Sequence, residues 1–259
     1  MNIDLSDMII LVTGAANGVG HAVAREASKA NAAGLVLTDV DGKRLQQVEA
    51  ELSPKTQVHA VAADLEESDA AETICKSGIE TFGRIDGLVN AAGITDRADL
   101  LSGGVNEWDR TFAINTRTPF FLMQHIVKDI LKRGSTGSIV NIQSVNAHTG
   151  SPELAIYSAS KGALQTLTRN TANAFMRENI RVNGINLGWT LTEGEHRMQA
   201  NTLNQGDDWL ERVIVDRPWS RLLTPDEPAR LAVYLLSSES APLTGASIDL
   251  EQSVIGTPQ

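Results

Sequence analysis

The sequence contains a tyrosine and a lysine whose spacing could support acid–base chemistry. Tyr157 and Lys161 lie four residues apart in a helical pattern, so both side chains project from one face of the helix. A free tyrosine has a pKa of about 10, and lowering it by two to three units takes roughly 3–4 kcal/mol. A partly buried ammonium group about 4 Å away supplies on the order of 4 kcal/mol at an effective dielectric constant of 20. The pair therefore predicts a phenol whose pKa is lowered by a neighbouring cation.

Such a pair also occurs by chance on many helices, and other residues strengthen the interpretation. Ser144 follows a strand-like run and precedes Tyr157 by 13 residues. The small residues of Asn90-Ala91-Ala92-Gly93 follow another strand-like run, where they leave room for a ligand. Because parallel sheets bind ligands at the carboxyl ends of their strands, we expect these residues to lie at one edge with Tyr157.

A glycine-rich stretch, Thr13 to Gly20, follows the first strand-like run and opens the first helix. Glycines let the backbone turn sharply and approach a pyrophosphate, whose charge then lies at the helix N-terminus. The alternative is a glycine turn that only permits close packing. The predicted contacts with a dinucleotide are made by Gly14, Asn17, Gly18, Val19 and Gly20.

Asp39 ends the second strand-like run, 19 residues after Gly20. A carboxylate at this position can accept hydrogen bonds from a ribose 2′-hydroxyl group and repels a 2′-phosphate. Val40 follows, so no adjacent cationic residue is available to bind that phosphate. The alternative is an aspartate that only starts the turn into Asp41-Gly42. Together with the glycine-rich stretch, Asp39 predicts NAD rather than NADP.

Short apolar runs alternate with helical patterns along the chain, which predicts right-handed βαβ units. We expect one doubly wound, Rossmann-type α/β domain over residues 1–259, with a parallel sheet and helices on both faces. The predicted strands are Met8–Thr13, Leu35–Asp39, Val58–Ala62, Asp86–Asn90, Ser138–Ile142, Val182–Asn186 and Ser247–Leu250. The predicted helices are Gly18–Ala30, Gly42–Leu52, Ser68–Phe82, Asn106–Lys132, Ala155–Arg177 and one that runs from a capping box at Thr224 and Glu227 to Leu236. The polar connection at about residues 188–217, here called the lid segment, is long enough for an active-site lid.

Composition excludes several classes of protein. The 259 residues carry a net charge of −10, which argues against a nucleic-acid or anionic-membrane partner. The single cysteine, Cys75, excludes an intrachain disulfide, and the five histidines show no metal-ligand spacing, so no metal is expected. Acidic residues at the start of the chain do not fit a secretory signal peptide, and a cytoplasmic location is expected.

With these motifs in order, the sequence resembles the short-chain dehydrogenase/reductase family across essentially its whole length. The resemblance implies that Tyr157 is the general acid/base, that Ser144 binds the substrate oxygen, and that Lys161 lowers the Tyr157 pKa while holding the nicotinamide ribose. It implies that Asn115 anchors a water on a proton path from Lys161. Further cofactor contacts implied by the resemblance are Asp64, Leu65, Asn90, Ala91, Gly93, Tyr157, Gly188, Thr190 and Thr192. A homotetramer is implied as well.

The sequence departs from the family pattern at two places. The usual Pro-Gly after the sixth strand reads Leu187-Gly188, which leaves the path of the loop beside the nicotinamide open. The usual Asp-Gly-Gly near the end reads Glu251-Gln252-Ser253, which leaves the C-terminal turn open.

Three functions are compatible with the sequence. The leading one is an NAD-dependent dehydrogenase of a secondary alcohol, with Asn146, Glu153 and Trp189 as candidate substrate contacts. Because these residues are polar or can form hydrogen bonds, they favour a sugar, polyol or similar small polar alcohol, unless they face solvent instead. The alternatives are an NADPH-dependent ketone or 3-oxoacyl reductase, and a catalytically silent dinucleotide-binding protein.

Overall fold

In the computed structural model, which describes residues 3–148 and 150–256, seven strands form one parallel sheet. The strands are β1 (Ile9–Thr13), β2 (Gly34–Asp39), β3 (Gln57–Ala62), β4 (Gly87–Asn90), β5 (Gly137–Ser144), β6 (Ile180–Leu187) and β7 (Ser247–Leu250). Their order across the sheet is β3-β2-β1-β4-β5-β6-β7. The doubly wound fold predicted from the sequence is confirmed, and every strand boundary lies within two residues of the prediction.

Helices cover both faces of this sheet. They are α1 (Gly18–Lys29), α2 (Gly42–Leu52), α3 (Ala70–Phe82), α4 (Val105–Phe112), α5 (Thr118–Arg133), α6 (Ala155–Phe175), α7 (Glu193–Arg197), α8 (Trp209–Ile214) and α9 (Asp226–Leu236). Successive side chains of a strand point to opposite faces. Accordingly, Ile10 and Val12 of β1 pack in the core beneath α1 and α9, whereas Ile9 and Leu11 pack in the core beneath α3 and α5.

The prediction of one continuous α-helix over Asn106–Lys132 is wrong in one respect, because a π-helix interrupts it. Residues 105–133 are helical, but the five residues Ala113–Arg117 between α4 and α5 form a π-helix. Single π-helical turns are rare and occur frequently at functional sites. The π-helix contains Asn115, whose side chain is fully buried.

The order of the strands reverses between β1 and β4, which are neighbours in the sheet although distant in sequence. The Thr13 hydroxyl oxygen at the end of β1 accepts hydrogen bonds from the backbone N–H groups of Ala91 and Ala92, at 3.1 and 3.0 Å. These bonds link the end of β1 to the segment that follows β4. A crevice outside such a switch point is where open α/β sheets bind their ligands.

The start of α9 differs from the predicted capping box. The Glu227 carboxylate accepts the Thr224 backbone N–H at 2.7 Å, as a capping box requires. The Thr224 hydroxyl, however, lies 3.2 Å from the same carboxylate, and the Glu227 N–H bonds to the Thr224 carbonyl instead. Arg221 binds both carboxylate oxygens at 2.8 Å and, with the Thr224 contacts, lowers the pKa of Glu227 to about 2.

Within the described residues, no helix is long and apolar enough to cross a membrane. The same residues contain no group of three or more His, Cys, Asp or Glu side chains arranged to hold a metal ion. Cys75 is buried, and its burial, with a smaller contribution from Asp129, raises the pKa of the thiol to about 12.

Candidate active site

A cavity of about 1070 Å³ opens at the carboxyl ends of the strands. Every site residue predicted from the sequence lines this cavity except Asn90 and Asn115. Its lining includes the glycine-rich loop, residues of the lid segment, and Ser144, Tyr157 and Lys161. The cavity therefore brings the predicted dinucleotide contacts and the predicted catalytic residues into one site.

The glycine-rich loop forms a cradle at the N-terminus of α1. Gly14 and Gly18 have backbone φ angles of +66° and +54°, which residues other than glycine rarely adopt. A Cβ atom at Gly14 would lie 2.9 Å from the Ala92 Cα, and one at Gly20 would overlap the Gly14 backbone. Because the loop needs glycine at these positions and opens the helix, its N–H groups fit a pyrophosphate.

Asp39 both shapes this loop and faces the cavity. Its Oδ2 accepts the Ala16 N–H and its Oδ1 accepts the Asp41 N–H, both at 3.0 Å. Each carboxylate oxygen keeps a lone pair for a further donor. The two interpretations of Asp39 from the sequence, a turn residue and a ribose-binding residue, are therefore compatible. Nearby, Asp64 is exposed and Leu65 is buried at the same end of the cavity.

Tyr157 lies beside Ser144 in the wall of the cavity. Its side chain is buried, and burial raises the pKa of the phenol above its usual value. A hydrogen bond with the Ser144 side chain opposes this shift, the charge of Glu195 adds to it, and the charge of Arg97 opposes it. The direction is the reverse of the one predicted from the Tyr157–Lys161 spacing.

The Lys161 ammonium is not among the groups that shift the Tyr157 pKa. Its Nζ donates a hydrogen bond to the Ile142 carbonyl at 2.8 Å and stands 5.9 Å from the centre of the Tyr157 ring. The side chain is buried, and desolvation of the ammonium lowers the pKa of Lys161 to about 8. Lys161 therefore loses its proton far more easily than an exposed lysine.

Asn115 reaches the site through its neighbours. Its Nδ2 donates to the Ile94 carbonyl and to the Ser160 Oγ, and its Oδ1 accepts the Ile94 N–H, all at 3.0 Å. A Cβ atom at Gly93 would lie 3.2 Å from both Asn115 Oδ1 and Lys161 Nζ. The asparagine therefore braces the loop after β4 against α6, close to Lys161.

Asn90, a predicted cofactor contact, lies beside the cavity and not in its lining. The side chain is buried inside the sheet, where Nδ2 donates to the Asn141 Oδ1 at 2.8 Å. Strand β4 ends at Asn90 with this side chain turned towards β5, and the residues that follow it line the cavity.

Sequence reasoning missed a charged pair in the cavity wall near Tyr157. Glu195 Oε1 accepts hydrogen bonds from Trp189 Nε1 at 2.8 Å and from Gln199 Nε2 at 2.7 Å, and Arg97 lies 3.8 Å away. Both members of the pair act electrostatically on Tyr157. Arg97 follows β4 at the ligand-binding edge of the sheet, so its place in the sequence could have indicated that it lies near the site. The orientation of Glu195 depends on the path of the lid segment, which has no sequence signal.

The three candidate substrate contacts occupy different positions. The indole of Trp189 packs against the buried Trp209, with ring centres 6.0 Å apart, and Arg217 lies 4.9 Å from the Trp189 ring. Asn146 donates its backbone N–H to Ser144 Oγ at 3.1 Å. Glu153 is exposed at the cavity rim. Asn146 is therefore bonded to Ser144, Trp189 is packed within the lid segment, and Glu153 is exposed in the cavity wall.

A phosphate cradle at the switch point, together with a buried phenol, serine and lysine across the same cavity, defines a dinucleotide-binding oxidoreductase. A family model described as enoyl-(acyl carrier protein) reductase matches residues 14–252. Galactitol 2-dehydrogenase of Agrobacterium fabrum is 31% identical over 243 residues, which covers 91% of this chain and 93% of the relative. The chain belongs to the short-chain dehydrogenase/reductase family, whose members bind a nicotinamide dinucleotide.

Solved structures agree with this assignment. The L-sorbose reductase of Gluconobacter frateurii, complexed with NADPH and L-sorbose, superposes with a TM-score of 0.92 at 27% identity over 100% of both chains. The 3-ketoacyl-(acyl-carrier-protein) reductase of Brucella melitensis, complexed with NADH, superposes with a TM-score of 0.85 at 26% identity over 96% of this chain and 99% of the other. The chain is accordingly an oxidoreductase that acts on alcohol and ketone groups.

Proposed function

We propose that this protein is an NAD-dependent dehydrogenase that reversibly oxidises a secondary alcohol of a sugar, polyol or similar small polar substrate. The observation that supports it best is the Arg97–Glu195 pair beside Tyr157. A charged, hydrogen-bonding wall matches a substrate with several hydroxyl groups, since each polar group buried without a partner costs about 1–3 kcal/mol. An acyl chain offers such a wall no hydrogen bonds.

In this proposal, Tyr157 accepts the hydroxyl proton of the alcohol during oxidation and returns it to the ketone oxygen during reduction. Ser144 holds the same oxygen, which keeps the proton within reach of the phenol. Lys161 and Asn115 bond to the backbone and to Ser160 beside the site, and Lys161 is also available to the ribose of the cofactor. When bound, the nicotinamide supplies the hydride acceptor or donor.

The cofactor would lie along the cavity from Asp39 to Tyr157. Asp39 would accept a hydrogen bond from the adenosine ribose, and Asp64 and Leu65 would border the adenine. Gly14, Asn17, Gly18, Val19 and Gly20 would hold the pyrophosphate, Ala91 and Gly93 would border the dinucleotide, and Gly188, Thr190 and Thr192 would flank the carboxamide. Because Asp39 offers a carboxylate where NADP carries a phosphate, we propose NAD. The homotetramer, which the resemblance implies, and the cytoplasmic location, which was expected from the sequence itself, stay predictions.

A substrate panel tests the polar-alcohol assignment. With NAD as the oxidant, we expect hexitols, aldoses and ketoses to be turned over with a kcat/KM at least about tenfold above that of apolar secondary alcohols of similar size, since they alone match the charged wall. NADH formation at 340 nm measures the rate. In a second series of assays, 3-oxoacyl thioesters are tested as substrates for reduction with NADPH. Turnover confined to apolar alcohols or to those thioesters would contradict the proposal.

The pH dependence of oxidation tests the role of Tyr157. Because burial raises the pKa of the phenol and oxidation requires its deprotonated form, we expect kcat/KM for oxidation to rise as the pH increases above neutrality. The Glu195→Gln substitution removes a negative charge that favours the protonated phenol, so the rise should move to lower pH. Arg97→Gln should move it to higher pH. We expect shifts of about half a pH unit, measured as kcat/KM from pH 6 to 10. Shifts in the same direction would rule out electrostatic control of Tyr157 by this pair.

A further inference from the structure

The two places where the sequence departs from the family pattern meet in the structure. Strands β6 and β7 are parallel neighbours, with Leu187 paired to Leu250 at their ends. The residues that follow the two strands, Gly188 and Glu251, therefore lie side by side, and the Gly188 N–H donates to the Leu250 carbonyl at 3.0 Å. Both residues line the cavity.

The Glu251 carboxylate holds the beginning of the lid segment. Its Oε2 accepts the backbone N–H of Trp189 at 3.0 Å, and its Oε1 accepts the N–H of Gln252 at 2.6 Å. A Cβ atom at Gly188 would overlap the carboxylate, so the glycine is what admits Glu251 to this position. The proline that the family usually has before this glycine would fix φ, whereas Leu187 leaves that torsion free. The bond from Glu251 restricts the same stretch of backbone by other means.

The Gln252 side chain holds the chain just after the lid segment. Its Oε1 accepts the N–H of Trp219 at 3.1 Å, and its Nε2 donates to the Arg221 carbonyl at 2.6 Å. A glycine, which the family usually has at this position, could make neither bond. The beginning of the segment also bonds to the chain beyond its end, since the Leu223 N–H donates to the Trp189 carbonyl at 3.0 Å.

We propose that the side chains of Glu251 and Gln252, here called the C-terminal clasp, are positioning residues that fix both ends of the lid segment against the cavity. Glu251 sets the backbone of Gly188, Trp189 and Thr190, and it thereby also sets where the Trp189 indole meets Glu195. The consequence for catalysis, that this backbone is held ready for the nicotinamide carboxamide, rests on the proposed function. The clasp itself does not depend on the reaction.

Hydrogen exchange of the protein without cofactor tests the clasp directly. Glu251→Ala removes the acceptor of the Trp189 N–H, and we expect exchange in peptides containing Trp189 to accelerate about tenfold. Gln252→Ala should accelerate exchange in peptides containing Trp219 by a similar factor. Glu251→Gln keeps an acceptor oxygen and should behave more like the original protein. Glu239→Ala, which removes an exposed acid outside the site, is the matched control and should change neither region.

Kinetics then connect the clasp to the cofactor. We expect Glu251→Ala to raise the KM for NAD about tenfold with a smaller change in kcat, Glu251→Gln to restore most of that loss, and Glu239→Ala to leave both constants unchanged. Unaltered exchange in both alanine variants would overturn the clasp, whatever the activity. Accelerated exchange with an unchanged KM for NAD would overturn its role in cofactor positioning. Absence of turnover in the original protein with every alcohol would count against the proposed function and would leave the exchange test valid.

Discussion

Replacing Tyr157 by phenylalanine is expected to lower kcat by about 10³-fold in both directions of the reaction, which is the usual contribution of a positioned general acid/base. The substitution removes only the hydroxyl group, so the buried ring still fills its place in α6. Since the same group gives and takes the proton, alcohol oxidation and ketone reduction should fall together. Initial rates of NADH formation and consumption measure the two directions.

The chain offers a close control, because Tyr234 is its only other tyrosine. Tyr234 lies on α9, outside the cavity, and Tyr234→Phe should keep the original kcat. Binding of NADH, followed by its fluorescence, should change by less than about threefold in Tyr157→Phe, since the loss concerns the reacting oxygen. A phenylalanine variant that retains a tenth or more of the original kcat would exclude Tyr157 as the acid/base.

The fold was predictable because buried parallel strands have a strong sequence signal. Each central strand is covered on both faces and therefore reads as a continuous apolar run, as in Ile9 to Val12 or Leu35 to Leu37. The helices between them have ordinary lengths and signals. The π-helix at Ala113–Arg117 has no comparable signal, and the partners of its Asn115 side chain, Ile94 and Ser160, are far away in sequence.

The parts of the site that depend on the position of the backbone were predictable from the sequence. The parts that depend on the direction of a side chain were less predictable. The glycine-rich loop and the residues after the strands reach the cavity because parallel strands end at one edge. The direction of the Tyr157 pKa shift was predicted wrongly, because spacing on a helix shows neither that burial raises this pKa nor that the Lys161 ammonium bonds to the Ile142 carbonyl. Glu195 could not be assigned either, because Trp189 and Gln199 orient it.

The choice between NAD and NADP depends on the charge of Asp39. The 2′-phosphate of NADP carries more than one negative charge near neutral pH, and a unit charge at about 4 Å from a carboxylate costs about 1 kcal/mol in water and about 4 kcal/mol near a protein surface. Arg110, one of the cationic residues that line the cavity, is paired with Glu66 and Asp96, which reduces its ability to offset this repulsion. The original protein should therefore prefer NAD over NADP by about two orders of magnitude in kcat/KM.

Asp39→Asn should reduce this preference at least about tenfold, chiefly by improving kcat/KM for NADP, because the amide removes the repelling charge and keeps one acceptor oxygen for the backbone. Asp41→Asn is the matched control: it removes an exposed carboxylate that caps α2 two residues away and does not line the cavity, so the preference should stay unchanged. Steady-state kinetics with both cofactors at low ionic strength give the ratio, and added salt should narrow the difference between the two cofactors. If the asparagine variant kept the original preference, Asp39 would be only the residue that ties Ala16 to Asp41, and the NAD assignment would have to rest on another part of the cavity.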